Sequence, residues 1–432
     1  MVIKTEKPSP LFFYGWVIVA LGFLTLAFTF GIWYSFSVFF LAIIEDFGWS
    51  RAATSSIFSL FILNHAVMGI LAGYLQDRFG PRIVIPVGAL ILSVSLLITS
   101  RSTALWHFYI AYGLAASTGV SFMGFISFSA FLPNWFERKR GLAVGITMAG
   151  IGFGMLILVP ILERVITLAG WRMAYVYAAG AVLFFIGPVN FVFARQRPSD
   201  LNLLPDGDTT ASDQPAIKRA REVKIINTEW VSTEWTIPKA LGTKRFWFIL
   251  SAFFFISFAY QSTLLHSVSA MVDGGLSRTT GALIFGILGI AGSGGKIMLG
   301  YLSDVFGRER VSTAGGIMAS LGIICLLYVA SSNLFLSLLF ALLFGIGYGS
   351  AAPLLPSISA DIFSGPSFGV IFALIGIGGG MGGSTGSFIS GLIRDMTGSY
   401  TLSLLIAICS ITISCLMIWL ASPRKIRRTL KN

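Results

Sequence analysis

Gly73-Tyr74-Leu75-Gln76-Asp77-Arg78-Phe79-Gly80-Pro81-Arg82 has a partner 227 residues further on, Gly300-Tyr301-Leu302-Ser303-Asp304-Val305-Phe306-Gly307-Arg308. A long apolar run leads into each copy and another leads out. A charged, glycine-bearing turn used twice, at the same place in two stretches of hydrophobic chain, implies an internal duplication.

The duplication is wider than this turn. Asp46-Phe47-Gly48-Trp49-Ser50-Arg51 is matched by Asp273-Gly274-Gly275-Leu276-Ser277-Arg278, again at an offset of 227. Gly150-Ile151-Gly152-Phe153-Gly154-Met155 answers Gly376-Ile377-Gly378-Gly379-Gly380-Met381 at an offset of 226. Three marks at one spacing divide the chain into residues 1–194 and 246–432, in parallel orientation. The polar stretch 195–245 lies between them.

Composition sets the class. The 432 residues are 55% hydrophobic and 11% charged, far below the roughly 25% charge of soluble domains. Apolar runs long enough to cross a bilayer recur throughout. Twelve spans are expected, at about 12–40, 52–76, 82–100, 104–132, 140–163, 173–194, 246–271, 279–302, 311–330, 334–358, 367–392 and 400–421. The expected fold is an all-α membrane protein of twelve transmembrane helices in two pseudo-symmetric six-helix bundles. The first apolar run is too long for a signal-peptide core and reads as an uncleaved first helix.

The net charge of +12 raises nucleic acid as a partner, but its distribution argues against that. With the N-terminus in the cytoplasm, 23 Lys and Arg fall on cytoplasmic segments, 6 on external ones and one inside the membrane. This asymmetry places both termini in the cytoplasm. It suits an inner (plasma) membrane location, with basic clusters against anionic lipid. The segment 195–245 reads as a cytoplasmic linker, carrying Pro198, Pro205 and Pro215, the acidic Asp206, Asp208 and Asp213, and then Lys218-Arg219-Ala220-Arg221. Its end, Ile237 to Trp247, reads as a short interfacial helix. Cys325, Cys409 and Cys415 lie in apolar spans without metal-ligand spacing and read as small buried hydrophobes.

Two parallel six-span halves are the usual architecture of a secondary transporter. Three histidines with no HExxH, GxSxG or nucleotide-binding loop leave no enzymatic chemistry, cofactor or metal in view. No ATP-binding domain is present, so transport is expected to be secondary, with a monomer as the working unit.

Lys296 is the one Lys, Arg, Asp or Glu placed well inside an expected span. A buried charge there costs about 2.5–3.5 kcal/mol on insertion scales and needs a cavity or a partner. One reading is an ammonium that pairs with a substrate carboxylate. The other is a lysine reaching to the cytoplasmic interface, four residues before Gly300. His266 and Asp273 are two turns apart on one helix face. They read as proton-coupling groups, or as an interhelical hydrogen bond and a helix-end residue. Asn64-His65 in the second span reads as a structural hydrogen-bonding pair.

The two turns resemble the loops between helices two and three, and eight and nine, of the major facilitator superfamily. Gly73, Asp77, Arg78, Gly80 and Arg82 match that pattern, whereas the second copy has Val305 in place of the basic residue after Asp304. Trp135-Phe136-Glu137-Arg138-Lys139-Arg140-Gly141-Leu142-Ala143-Val144-Gly145-Ile146-Thr147-Met148-Ala149-Gly150 resembles the fifth-helix signature of monocarboxylate transporters and their bacterial relatives, including oxalate–formate exchangers. Tyr14-Gly15-Trp16-Val17-Ile18-Val19 and Phe47-Gly48-Trp49-Ser50-Arg51 are similar to segments of the same group.

The resemblance implies a small organic anion, usually a monocarboxylate such as lactate or pyruvate, moved with a proton by alternating access. Organic-anion exchange, or export of another substrate class, is the alternative. In the family an arginine usually stands where Lys296 does. The resemblance makes helices one, four, seven and ten the cavity lining. Phe28, Thr29, Ser121, His266 and Tyr348 then join Lys296 as candidate substrate contacts, with helix packing as the alternative for each. It makes Asp77, Arg78, Arg82 and Asp304 candidate gating residues on the cytoplasmic side.

Overall fold

A computed structural model describes residues 13–136, 139–201, 203–207, 223–329, 333–365 and 367–429. Glu137-Arg138 of the fifth-helix signature and Asp208, Asp213, Pro215 and Lys218 to Arg221 of the linker lie outside the described residues.

The first three spans are the unbroken helices Gly15–Phe47, Arg51–Phe79 and Pro81–Ser100. The fourth is assembled from Leu105–Phe108, the π-helical Tyr109–Ala116, Ser117–Met123 and Phe125–Trp135. Gly124 leaves helical geometry between the last two pieces. The fifth and sixth share one continuous stretch, Arg140–Ala181, Val182–Ile186 and Gly187–Phe193, that turns at Gly170 (φ 82°). The seventh to ninth are Lys244–Asp273, Arg278–Phe306 and Arg308–Leu327. The tenth is Leu334–Gly349 continued by Ala351–Ile362, and Phe368–Thr397 and Thr401–Ala421 complete the set. The twelve expected spans are therefore present.

The backbone carries the duplication. Ser50 and Ser277 each cap the helix that follows them, their side chains accepting from the amides of Ala53 and Thr280. Gly48 and Gly275 both have positive φ (65° and 97°), as do Gly80 and Gly307 (75° and 95°). Each pair is separated by 227 residues. Only a residue without Cβ enters that region at little cost, which is why the two turns spell glycine at the same places.

Helix packing moves one register by two residues. Gly150 and Gly154 of the fifth span press on the carbonyls of Phe23 and Ala27 in the first. The equivalent contacts in the second half are made by Gly378 and Gly382, on Leu250 and Phe254 of the seventh span. In space Gly150 therefore answers Gly378, two residues beyond its sequence match Gly376. The close carbonyl approach selects the position, while Gly376 faces open space. Gly154→Leu should consequently cost at least about 1–3 kcal/mol by overpacking, read as a fall in Tm in detergent. Gly376→Leu is the control, expected to move Tm little.

The described part of 195–245 folds onto the body. The indole of Trp230 donates to the Ile362 carbonyl at 2.8 Å, and Trp235 packs edge-on to Phe363. Strand Val223–Ile225 pairs antiparallel with Arg427–Thr429 of the tail, a two-stranded exception to the otherwise helical fold. The expected interfacial helix is the single turn Ile237–Leu241, after which Thr243 caps a new helix. Trp247 is exposed on that helix, and its indole donates to the Leu241 carbonyl.

Candidate functional site

The two halves meet along two seams. In one, Gly152 of the fifth span lies against Gly289 and Ser293 of the eighth, and Leu156 against Gly286. In the other, Ala66 of the second span faces Gly380 of the eleventh, and the Ser59 hydroxyl donates to the Ser384 carbonyl at 2.7 Å. Glycines on both sides let the helices approach closely in a medium where packing drives association.

Between the seams, midway along the helices, aromatic rings converge. The hydroxyls of Tyr34 and Tyr348 share a hydrogen bond of 2.5 Å across the halves. Tyr34 also meets the ring of Phe285, and Tyr348 lies edge-on to Tyr260. The Tyr260 hydroxyl donates to the Gly347 carbonyl. Trp33 stands beside Tyr34 with its indole N–H buried and without a partner among the described residues. The Ser293 hydroxyl is likewise buried and without a partner among the described residues.

Lys296 sits one helical turn beyond Gly292, the residue against which the Tyr348 ring packs. Gly349 lies against the Lys296 backbone. The ammonium is half-buried and has no hydrogen-bond or ion-pair partner among the described residues. A lysine without a partner, one turn from a cluster of hydroxyls, is a group that an anion could pair with.

The other expected substrate contacts are elsewhere. Phe28 packs on Phe185 of the sixth span, away from this cluster, and Phe30 stacks on Trp33 instead. The Thr29 hydroxyl is spent on the Thr25 carbonyl of its own helix. Ser121 bonds His65 Nδ1 at 2.8 Å, while Asn64 donates to Ser117, Thr118 and the Leu114 carbonyl. Asn64 and His65 thus tie the second span to the fourth. The His65 ring also lies edge-on to Trp33. His266 is seven residues from the end of its helix and Lys296 eighteen from the start of the next. The two are therefore about 17 Å apart in depth, too far to share one small substrate.

His266 belongs to a network at the Asp273 end. Its Nδ1 lies 3.1 Å from the Tyr400 hydroxyl and its Nε2 3.0 Å from the Ser387 carbonyl. A carbonyl only accepts, so Nε2 carries the hydrogen. Arg51 donates to the Tyr400 oxygen at 2.6 Å, leaving the Tyr400 proton for Nδ1. This pattern puts a hydrogen on Nε2 toward the Ser387 carbonyl and joins His266 through Tyr400 to Arg51.

Arg51 also pairs with Asp273 at 3.0 Å, and Arg394 closes on the other carboxylate oxygen at 3.1 Å. Asp395 accepts from the amides of Arg51 and Ala52 at 2.9 and 2.7 Å, a carboxylate on the start of the second helix. Arg278 pairs with Glu45. Arg51 and Glu45 are in the first half and their partners in the second, so this end is latched across the halves. A cavity of about 250 Å³ lies beside it, lined by Asp273, Arg394, Tyr400 and Thr401 among others.

At the opposite end the charged turns bond more locally. Arg78 donates to Tyr74 and Arg82 to the Phe191 carbonyl. Asp304 is held by Arg308 at 2.6 Å, and Arg308 also takes Asp361. Asp77 has no partner among the described residues.

One buried charge was missed at the sequence level. The fifth helix continues past 163 to its turn at Gly170, so Glu163 lies inside it and is only 1% exposed. Lys296 is therefore not the lone ionisable group within the spans.

The family model described as Major Facilitator Superfamily matches residues 21–299 and 248–432. Monocarboxylate transporter 13 of Rattus norvegicus is 24% identical over 94% of this chain and 88% of its own. Monocarboxylate transporter 11 of Homo sapiens is 26% identical over 95% and 83%. The oxalate:formate antiporter of Oxalobacter formigenes is 25% identical over 90% and 88%. Among solved structures, an inward-facing, occupied bacterial homolog of the human lysosomal transporter Spinster aligns with a TM-score of 0.70. It covers 95% of this chain and 97% of its own at 14% identity, a likeness of fold alone.

Proposed function

The chain belongs to the major facilitator superfamily and is a multi-pass membrane transporter rather than an enzyme; from that premise we propose that it carries small organic anions, monocarboxylates first, by alternating access and together with a proton. The observation that carries this reading is the unpartnered Lys296 ammonium one turn from the Tyr34–Tyr348 pair. The ammonium would neutralise the carboxylate. The tyrosine hydroxyls, one from each half, would bond its oxygens or a neighbouring hydroxyl, and the Trp33 N–H and Ser293 hydroxyl are spare donors at the same depth. Phe285, Phe30 and Tyr260 would form the wall against a short alkyl chain.

A ligand held by Tyr34 and Tyr348 together touches both halves, so its arrival and departure bias how they meet. The positive-inside distribution puts both termini in the cytoplasm and the Asp273 latch on the outer face. An inner or plasma membrane location, lipid contact through the basic tail and a working monomer belong to the same proposal. Asp77, Arg78, Arg82 and Asp304 would then regulate the cytoplasmic opening. Exchange of organic anions is the second reading, favoured by the similarity to the oxalate:formate antiporter. Uptake that ignores a proton gradient would select it.

A thermal-shift screen of formate, acetate, lactate, pyruvate and oxalate on purified protein tests the binding step. At least one acid should raise Tm in the wild type and none in Lys296→Gln. Equal shifts in both would remove Lys296 from the site. Tyr34→Phe and Tyr348→Phe each delete one hydroxyl worth about 0.5–1.5 kcal/mol. Each should weaken the affinity found in that screen by roughly 3- to 10-fold, and the two losses should roughly multiply in the double variant.

A further inference from the structure

Glu163 is the buried carboxyl among the described residues that neither the anion site nor an ion pair uses. Its own buried face carries no cation among the described residues: Gly152 and Leu156, eleven and seven residues earlier or about three and two turns, share that face and lie against the eighth span. Its one side-chain partner among the described residues is Thr167, whose hydroxyl is 3.3 Å from Glu163 Oε1 and 3.1 Å from the Glu163 carbonyl. The hydroxyl donates toward both oxygens, a shared contact that leaves the carboxyl with no other side-chain hydrogen bond among the described residues.

The charges around this end are otherwise engaged or turned away. On the first span, Asp46 holds Arg172 at 2.7 Å and accepts from the Trp171 indole, and Glu45 holds Arg278 of the eighth. Arg164, next in sequence, is exposed, as is Arg101 at the end of the third span. His107 of the fourth accepts from the amides of Thr103 and Ala104. The Tyr175 hydroxyl, past the turn, is buried and unpartnered. No cation among the described residues offsets an ionised Glu163, and a lone buried carboxylate is costly enough to take a proton instead. His266 is held by Tyr400 and the Ser387 carbonyl, and Asp273 by two guanidinium groups, so both belong to the latch.

We propose that Glu163 is the proton-binding site of the transport cycle, loaded from the outer side when the halves part there and sealed in protonated form when the latch closes. The inference rests on the proposed transporter orientation but not on the identity of the substrate. Each closure takes up one proton from bulk water, the carboxylate becoming a carboxylic acid. The ratio of closed to open outer ends should then fall by up to about tenfold per unit rise in pH.

The test places nitroxides at Ala169 and Ser399, one on each half at the outer end, with Cys325, Cys409 and Cys415 replaced by alanine. Inter-label distances are measured from pH 5.5 to 8.5 in nanodiscs. In the wild type the short-distance population should shrink as pH rises. Glu163→Gln should hold the short distance at every pH, with a Tm at pH 7.5 no lower than wild type, and Glu163→Asp should regain a pH response. A pH response unchanged in Glu163→Gln, or absent from the wild type, overturns the proposal. Proteoliposome uptake separates this from the anion reading. A wild type that moves no carboxylate defeats that reading, while the distance measurement still decides Glu163.

Discussion

Replacing Lys296 by glutamine is expected to abolish carboxylate uptake and, at the same time, to raise Tm. The two effects have one cause. The ammonium is held inside a helix bundle without a partner among the described residues, so the empty protein carries the cost of burying it, about 2.5–3.5 kcal/mol on insertion scales. Glutamine removes that cost. It also removes the charge that a bound carboxylate would meet. Losing one member of a buried, hydrogen-bonded charge pair costs about 2–5 kcal/mol, which at about 1.4 kcal/mol per decade is roughly 30- to several-thousand-fold in affinity. Lys296→Arg keeps the charge but exchanges a point donor for a wide fork. It should retain uptake with altered preference among acids. A purely structural lysine would give the opposite pattern, with Tm lowered and transport reduced only in step with folding.

Removing the carboxylate of Asp273 should open the outer end. Asp273 is the one acid between Arg51 and Arg394, and Arg51 continues the chain through Tyr400 to His266. In Asp273→Asn the two guanidinium groups face each other across the halves without an anion between them. Exposed ion pairs contribute about 0–1 kcal/mol each. Two partly buried ones that share a single carboxylate are worth more, and their loss adds repulsion. A shift of about 2–3 kcal/mol moves the closed-to-open ratio by roughly 30- to 150-fold. Spin-label distances at Ala169 and Ser399 should lengthen, and net transport should fall at least tenfold while the protein stays folded. If the distance is unchanged in Asp273→Asn and in Arg51→Gln, the network is a surface feature and not a latch.

The fold was legible because its marks are local. Paired turns with glycine at a positive-φ position, serine caps before a helix and apolar runs of bilayer length are all written within a few residues of each other. The site was legible only where a single residue broke a local rule, as Lys296 does in an apolar span. Tyr34 and Tyr348 are 314 residues apart, and each is unremarked within its own helix. Only the packing of the two halves brings them together. Phe28 and Thr29 failed to reach the cluster because helix rotation, which one sequence leaves open, turns them toward the sixth span and their own backbone. Glu163 was hidden by a boundary. Ending the fifth span at 163 made it a surface residue, whereas the helix runs on to Gly170. Asp273 was readable as a helix-end residue, but its two arginines come from the second span and the eleventh.

The decisive experiment on carboxylate transport is uptake into proteoliposomes: purified protein, labelled formate, acetate, lactate, pyruvate and oxalate, with and without an acid-outside gradient. Saturable uptake of at least one of these acids is expected, accelerated at least tenfold by the gradient and absent from Lys296→Gln. No uptake above protein-free vesicles for any acid under either condition, or full uptake by Lys296→Gln, would contradict it.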